Sequence, residues 1–167
     1  MNHALTKIAI YVKNNDNVLE KTITAFSIRG VKSGTLTFQS LDTDSKGFEW
    51  NYPSSVPMET FTTTITNFSV PINSATEKKL LSTFFLLPNG SGNTFNITYK
   101  YTGVNGTETI VLNNQPLPSS DKWKPGTLVN YIISIDTKSG VSVTVNSNPA
   151  WGNGGAETVD GSDIETR

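Results

Sequence analysis

The chain has 167 residues with 13 basic and 14 acidic side chains, a formal net charge of −1, and no cysteine. That length suits one domain with a substantial core. The charge balance argues against nucleic acid, which needs clustered Lys and Arg, and the missing thiols exclude disulfides, thiol catalysis and Cys-ligated zinc. No apolar run approaches the 18 or so residues that span a bilayer, and the start, Met-Asn-His-Ala-Leu-Thr-Lys, has no signal-peptide core.

Apolar residues make up 35%, and the remainder is dominated by 23 Thr, 17 Ser and 17 Asn. Thr favours strands, whereas Ser and Asn favour turns over helix. In chain order, residues 4–13 alternate, with Ile8, Ile10 and Val12 on one face, until Asn14-Asn15-Asp16-Asn17 breaks the run. Residues 21–29 predict a second strand, and Gly30 and Gly34 flank a turn into 35–41. A short segment at 48–52 stops at Pro53, and a Thr-rich strand over 59–70 stops at Pro71. Ser74 and Glu77 match a helix capping box, which predicts one turn at most before Leu80. Leu80–Leu87 is almost continuously apolar and reads as a strand buried on both faces.

Phe95, Ile97, Tyr99 and Tyr101 then alternate up to Asn105-Gly106, after which 107–112 returns. Asn-Gly between alternating runs predicts a hairpin with positive φ at both turn residues. Residues 128–137 and 141–147 give the last two strands. About ten short strands at this spacing predict an all-β sandwich or barrel. The expected division is a β-sandwich over 1–151 and a flexible, Gly-rich acidic tail over 152–167.

Chemistry-bearing residues are few. His3 is the sole histidine, two residues from the start, and reads as an ordinary strand-entry residue. Asp42 and Asp44 open like a calcium loop, but Lys46 and Pro53 occupy later ligand positions, so no metal is expected. No acid lies in an apolar segment that would raise its pKa, so no catalytic residue, cofactor or enzyme activity is expected. Four Asn-x-Ser/Thr sequons match the number chance gives for this composition. Trp50, Tyr52, Trp123 and Trp151 sit beside turn residues, where large side chains close the ends of a core. Trp50 with Tyr52 is the pair best placed to stack on a sugar ring.

The order of landmarks carries a resemblance. His3-Ala4-Leu5 opens a strand, and Ile28-Arg29-Gly30-Val31 precedes Gly34-Thr35-Leu36. Leu86-Leu87-Pro88 comes before Phe95-Asn96-Ile97-Thr98-Tyr99. Trp123-Lys124-Pro125-Gly126 leads into Tyr131-Ile132-Ile133, and Val143-Thr144-Val145 runs out to Trp151. Over positions 3–151 the chain resembles the C-terminal domain of the fimbrillin family of Bacteroidetes pilins and surface lipoproteins. The resemblance implies a single transthyretin-like β-sandwich with Greek-key-type antiparallel sheets. It implies a pilus subunit or tip adhesin on the cell surface, with other protein subunits as partners and no catalytic residues. Assembly in such a family uses a donated strand, and Trp151, Val159 and Ile164 are the tail's large apolar side chains for that role. Two other readings stand beside it: a module binding a surface glycan through Trp50 and Tyr52, and a virion decoration or fibre protein.

Overall fold

The computed structural model describes residues 3–38, 47–72, 77–137 and 140–148. Eleven strands form within them: β1 Thr6–Asn14, β2 Lys21–Val31, β3 Thr35–Phe38, β4 Phe48–Asn51, β5 Met58–Thr63, β6 Phe68–Val70, β7 Lys79–Leu86, β8 Thr94–Gly103, β9 Gly106–Pro116, β10 Leu128–Asp136 and β11 Gly140–Asn148. One sheet runs β11-β10-β1-β7, the other β5-β2-β8-β9 with β6 also on β2, and β3-β4 is a separate hairpin. The all-β sandwich expected from composition is what forms.

Period-2 alternation explains the core. Ile8, Ile10 and Val12 of β1, Tyr131, Ile133 and Ile135 of β10, and Ile23, Phe26 and Ile28 of β2 are all at most 1% exposed. Phe95, Ile97 and Tyr99 of β8 join them, with Phe26 and Phe95 rings stacked 5.8 Å apart. Val143 and Val145, on the edge strand β11, are half-buried and pack against this cluster.

Four expectations are corrected. The sheets are not wholly antiparallel: β1 runs parallel to β10, from Lys7↔Leu128 to Asn14↔Ile135. The crossover that a parallel pair requires runs from Asn14 to Leu128 by way of β2–β9; its last leg, residues 117–127, is pinned to the start of β1 by Gly126 N–H to the Leu5 carbonyl at 2.9 Å and by Lys7 N–H to the Thr127 carbonyl at 3.0 Å. The apolar run ending at Leu87 is an edge strand, β7, with Leu80 49% and Phe85 54% exposed. The Thr-rich segment divides into β5 and β6, because Asn67 takes φ 46° between them. At the β8–β9 turn Gly106 is at φ 107° while Asn105 is not at positive φ, so the Asn-Gly signal marks the hairpin but not its turn type.

Ser74 of the capping box lies outside the described residues, and Glu77 is not helical. The one helical turn among the described residues is the 3-10 turn Ser120–Lys122. The boundary between sandwich and tail also lies outside them. Among the described residues, no helix is long and apolar enough to cross a membrane.

Candidate functional site

Alternation along β4 places Trp50 and, just beyond the strand, Tyr52 on the same face. Their rings lie parallel within 1°, centroids 6.4 Å apart. Each polar tip reaches the main sandwich: Trp50 Nε1–H donates to the Ala4 carbonyl at 2.7 Å and Tyr52 O–H to the Pro88 carbonyl at 2.5 Å. Burial pushes the Tyr52 hydroxyl up to about 12. Gly34 lies against the Tyr52 ring, where an added Cβ would stand 2.6 Å from Cε1 and 2.7 Å from Cδ1. The pair is thus brought together, with its hydrogen-bonding atoms tying the β3–β4 hairpin to the ends of β1 and β7. What it can still offer a ligand is ring surface.

Trp123 is an anchor of the core, 2% exposed. Its Nε1–H donates to Tyr131 Oη at 2.8 Å, and that hydroxyl donates on to the Pro118 carbonyl at 2.9 Å. Desolvation pushes the Tyr131 hydroxyl up to about 12. Trp151, Val159 and Ile164, the candidate assembly residues, lie outside the described residues, as do Asp42 and Asp44. His3 is exposed near Gly126. Among the described residues, no group of three or more His, Cys, Asp or Glu side chains is placed to hold a metal ion.

Sequence reasoning missed a polar cluster at the opposite end of the sandwich. Lys21 is fully buried, and its ammonium meets Asp16 Oδ2 at 2.9 Å and the Leu19 carbonyl at 3.0 Å, with Thr137 Oγ1 as a third acceptor. It also lies 5.0 Å from the Tyr101 ring centroid. Asp16 accepts from Thr137 O–H through Oδ2, and from the Val18 and Leu19 amides through Oδ1. Hydrogen bonds from Thr137 first, then Lys21 and the two amides, hold its carboxyl well below the usual carboxylate range against the opposing effect of burial. Asn14, fully buried, donates to the Leu19 and Val70 carbonyls and accepts from Asp16 N–H. The sequence signal was present: an Asn-Asn-Asp-Asn turn followed by Lys at a strand's first buried position. Local pattern alone marks it only as a strand break.

Beside this cluster a cleft of about 560 Å³ opens between the β1–β2, β8–β9 and β10–β11 connections. Its lining includes Asn15, Asp16, Tyr101, Glu108 and Asp136, and Tyr101 O–H donates to Glu108 Oε2 at 2.6 Å. Val18 and Val104, 73% and 103% exposed, stand at its lips. Lys21 compensates Asp16, and the remaining carboxylates of the lining, Glu108 and Asp136, stand beside the apolar Val18, Leu19 and Val104 and the Tyr101 ring.

No family model matches the chain, and no curated protein matches it. Among solved structures, a Parabacteroides distasonis protein provisionally described as a cell adhesion protein aligns over 87% of this chain and 52% of its own, at 10% identity and TM-score 0.54. A Bacteroides uniformis protein described in the same terms aligns over 89% and 51%, at 16% identity and TM-score 0.45. The first likeness shows a shared fold. The chain spans about half the length of the solved structures it matches.

Proposed function

We propose that the chain is a non-enzymatic, fimbrillin-like module of a Bacteroidetes cell surface, a pilus subunit or tip component that acts by assembly and adhesion. The observation that carries this reading is the sandwich itself, shared with a Parabacteroides protein provisionally described as a cell adhesion protein. Its open edge supports the assembly part. β7 ends its sheet and exposes Leu80 and Phe85, and an apolar edge strand is a ready template for another polypeptide. The adhesion part is tested by displaying the chain on a non-adherent bacterium and measuring retention on mucin and epithelial surfaces under flow. Retention above that of an unrelated displayed β-sandwich is expected; equal retention on every surface contradicts adhesion.

A second reading is carbohydrate binding through Trp50 and Tyr52, favoured by the parallel arrangement of their rings. Because both polar tips are engaged, this reading rests on ring stacking. Isothermal titration of glycans into wild type and Trp50→Ala decides it, and heat from neither protein excludes it.

A further inference from the structure

The cleft beside Asp16 and Lys21 has walls that are fixed before anything binds. Asp16, from the β1–β2 connection, is held by Thr137, just beyond β10, and by the Lys21 ammonium on β2. Asn15 N–H adds a bond to the Ile135 carbonyl at 3.0 Å. A buried ion pair adds little stability over apolar residues of the same volume. What this one does is lock two of the three connections around the cleft into one geometry, as the supporting residues of a binding site must. The third wall, the β8–β9 hairpin, is fixed as well: Tyr101 is held by its hydroxyl on Glu108 and by the Lys21 ammonium 5.0 Å from its ring centroid.

Two kinds of chemistry meet between these walls. The Tyr101 ring, with Val18 and Val104 at the lips, supplies apolar surface. Around it stand planar polar groups, the exposed side-chain amides of Asn15 and Asn105 and the Glu108 carboxylate. A carboxylate accepts through two oxygens and an amide both donates and accepts, so Glu108 can take a ligand hydroxyl while it holds the tyrosine. Asp136 is already engaged within the chain and is not needed for this. An apolar wall with a few placed polar groups, enclosing about 560 Å³, has the make-up and size of a small-molecule site. A second hollow of about 360 Å³ shares Val18, Leu19 and Tyr101 with the first and leads on to Thr102 and Thr107, whose hydroxyls lie 2.9 Å apart. The groove therefore runs on past the tyrosine and suits an elongated ligand. An extended peptide would add to a free strand edge, whereas this groove is built around connections.

We propose that the groove is a binding site for a neutral oligosaccharide, with one sugar ring against Tyr101 and its hydroxyls on Glu108 and the amides of Asn15 and Asn105. Glu108 and Asp136 disfavour an acidic sugar by like-charge repulsion. The site lies at the opposite end of the sandwich from Trp50 and Tyr52, and it stands whether or not those rings bind and whether or not the chain assembles.

Two-dimensional amide spectra of the nitrogen-labelled full-length chain test this residue by residue, with lactose, diacetylchitobiose and maltotriose as neutral probes and digalacturonic acid as the acidic one. At least one neutral sugar is expected to move the signals of Asn15, Val104 and Asn105 in the millimolar range, and digalacturonic acid is expected to bind at least about tenfold more weakly. Glu108→Ala, at an exposed position, is expected to weaken the neutral sugar at least about tenfold, and Tyr101→Ala to abolish its binding. Signal dispersion shows whether each variant is folded, and Glu108→Ala decides alone should Tyr101→Ala unfold. No shift with any neutral sugar overturns the proposal, as does the case in which an alternating lysine–valine peptide moves these signals and the sugars do not. Shifts centred on the Trp50 indole N–H, unchanged affinity in Glu108→Ala, or equal binding of digalacturonic acid overturn it too.

Discussion

At the scale of single residues, Asp16 and Lys21 set the sharpest expectation. Lys21 is fully buried and the Asp16 side chain is 13% exposed, so removing the carboxylate leaves an ammonium with no counter-charge in the interior. Asp16→Ala is expected to cost about 3–5 kcal/mol, measured by urea unfolding at pH 7. The pH dependence follows from the depressed carboxyl. Its contribution is fully present above the ordinary value of 3.8 and is lost as pH falls below it, because the unfolded chain takes up the proton first. Wild type is therefore expected to lose more stability between pH 5 and 3 than Asp16→Asn does. Equal losses would assign acid sensitivity to other groups. At the other end, Tyr131→Phe removes the acceptor for the buried Trp123 N–H; the expected cost is about 1–3 kcal/mol, read in the same urea titration.

At the scale of elements, the β3–β4 hairpin is held by contacts at both ends of Tyr52, the ring on Gly34 and the hydroxyl on Pro88. Gly34→Ala is expected to displace the ring and expose Trp50, seen as a red shift in its fluorescence. Tyr52→Ala in the same chain should make the alanine tolerable, since the clash partner is gone; a shift of equal size in both backgrounds would place the strain elsewhere. High pH loosens the same contact: the Tyr52 contribution is present below pH 10 and lost as pH rises toward about 12.

The elements also show where the sequence was legible. β1 and β8 could be read from alternation, because each buries one face against the opposite sheet. β7 could not, since a continuous apolar run looks the same whether its second face meets protein or stands exposed at an edge. The β5–β6 break hung on one left-handed residue, Asn67, among β-favouring threonines. Trp50 and Tyr52 were legible as a pair from their i, i+2 spacing. Their acceptors, the carbonyls of Ala4 and Pro88, are 46 and 36 residues away in the chain, beyond the reach of local pattern.

For the whole molecule, the decisive feature is that β1 lies between β7 and β10, antiparallel to one and parallel to the other. Strand period does not encode direction, so this pairing was not legible. It makes the first strand a keystone, and Ile10→Ala, at its fully buried centre, is expected to cost about 2–5 kcal/mol in urea unfolding. It also leaves β7 at the edge, the open border on which the proposed assembly role depends.

That role is tested most directly by the solution mass of the full-length chain, measured by light scattering over a hundredfold range of concentration. The expected result is a mass that rises with concentration or settles at a multiple of 18.1 kDa. A mass that stays at that of one chain throughout would contradict self-assembly.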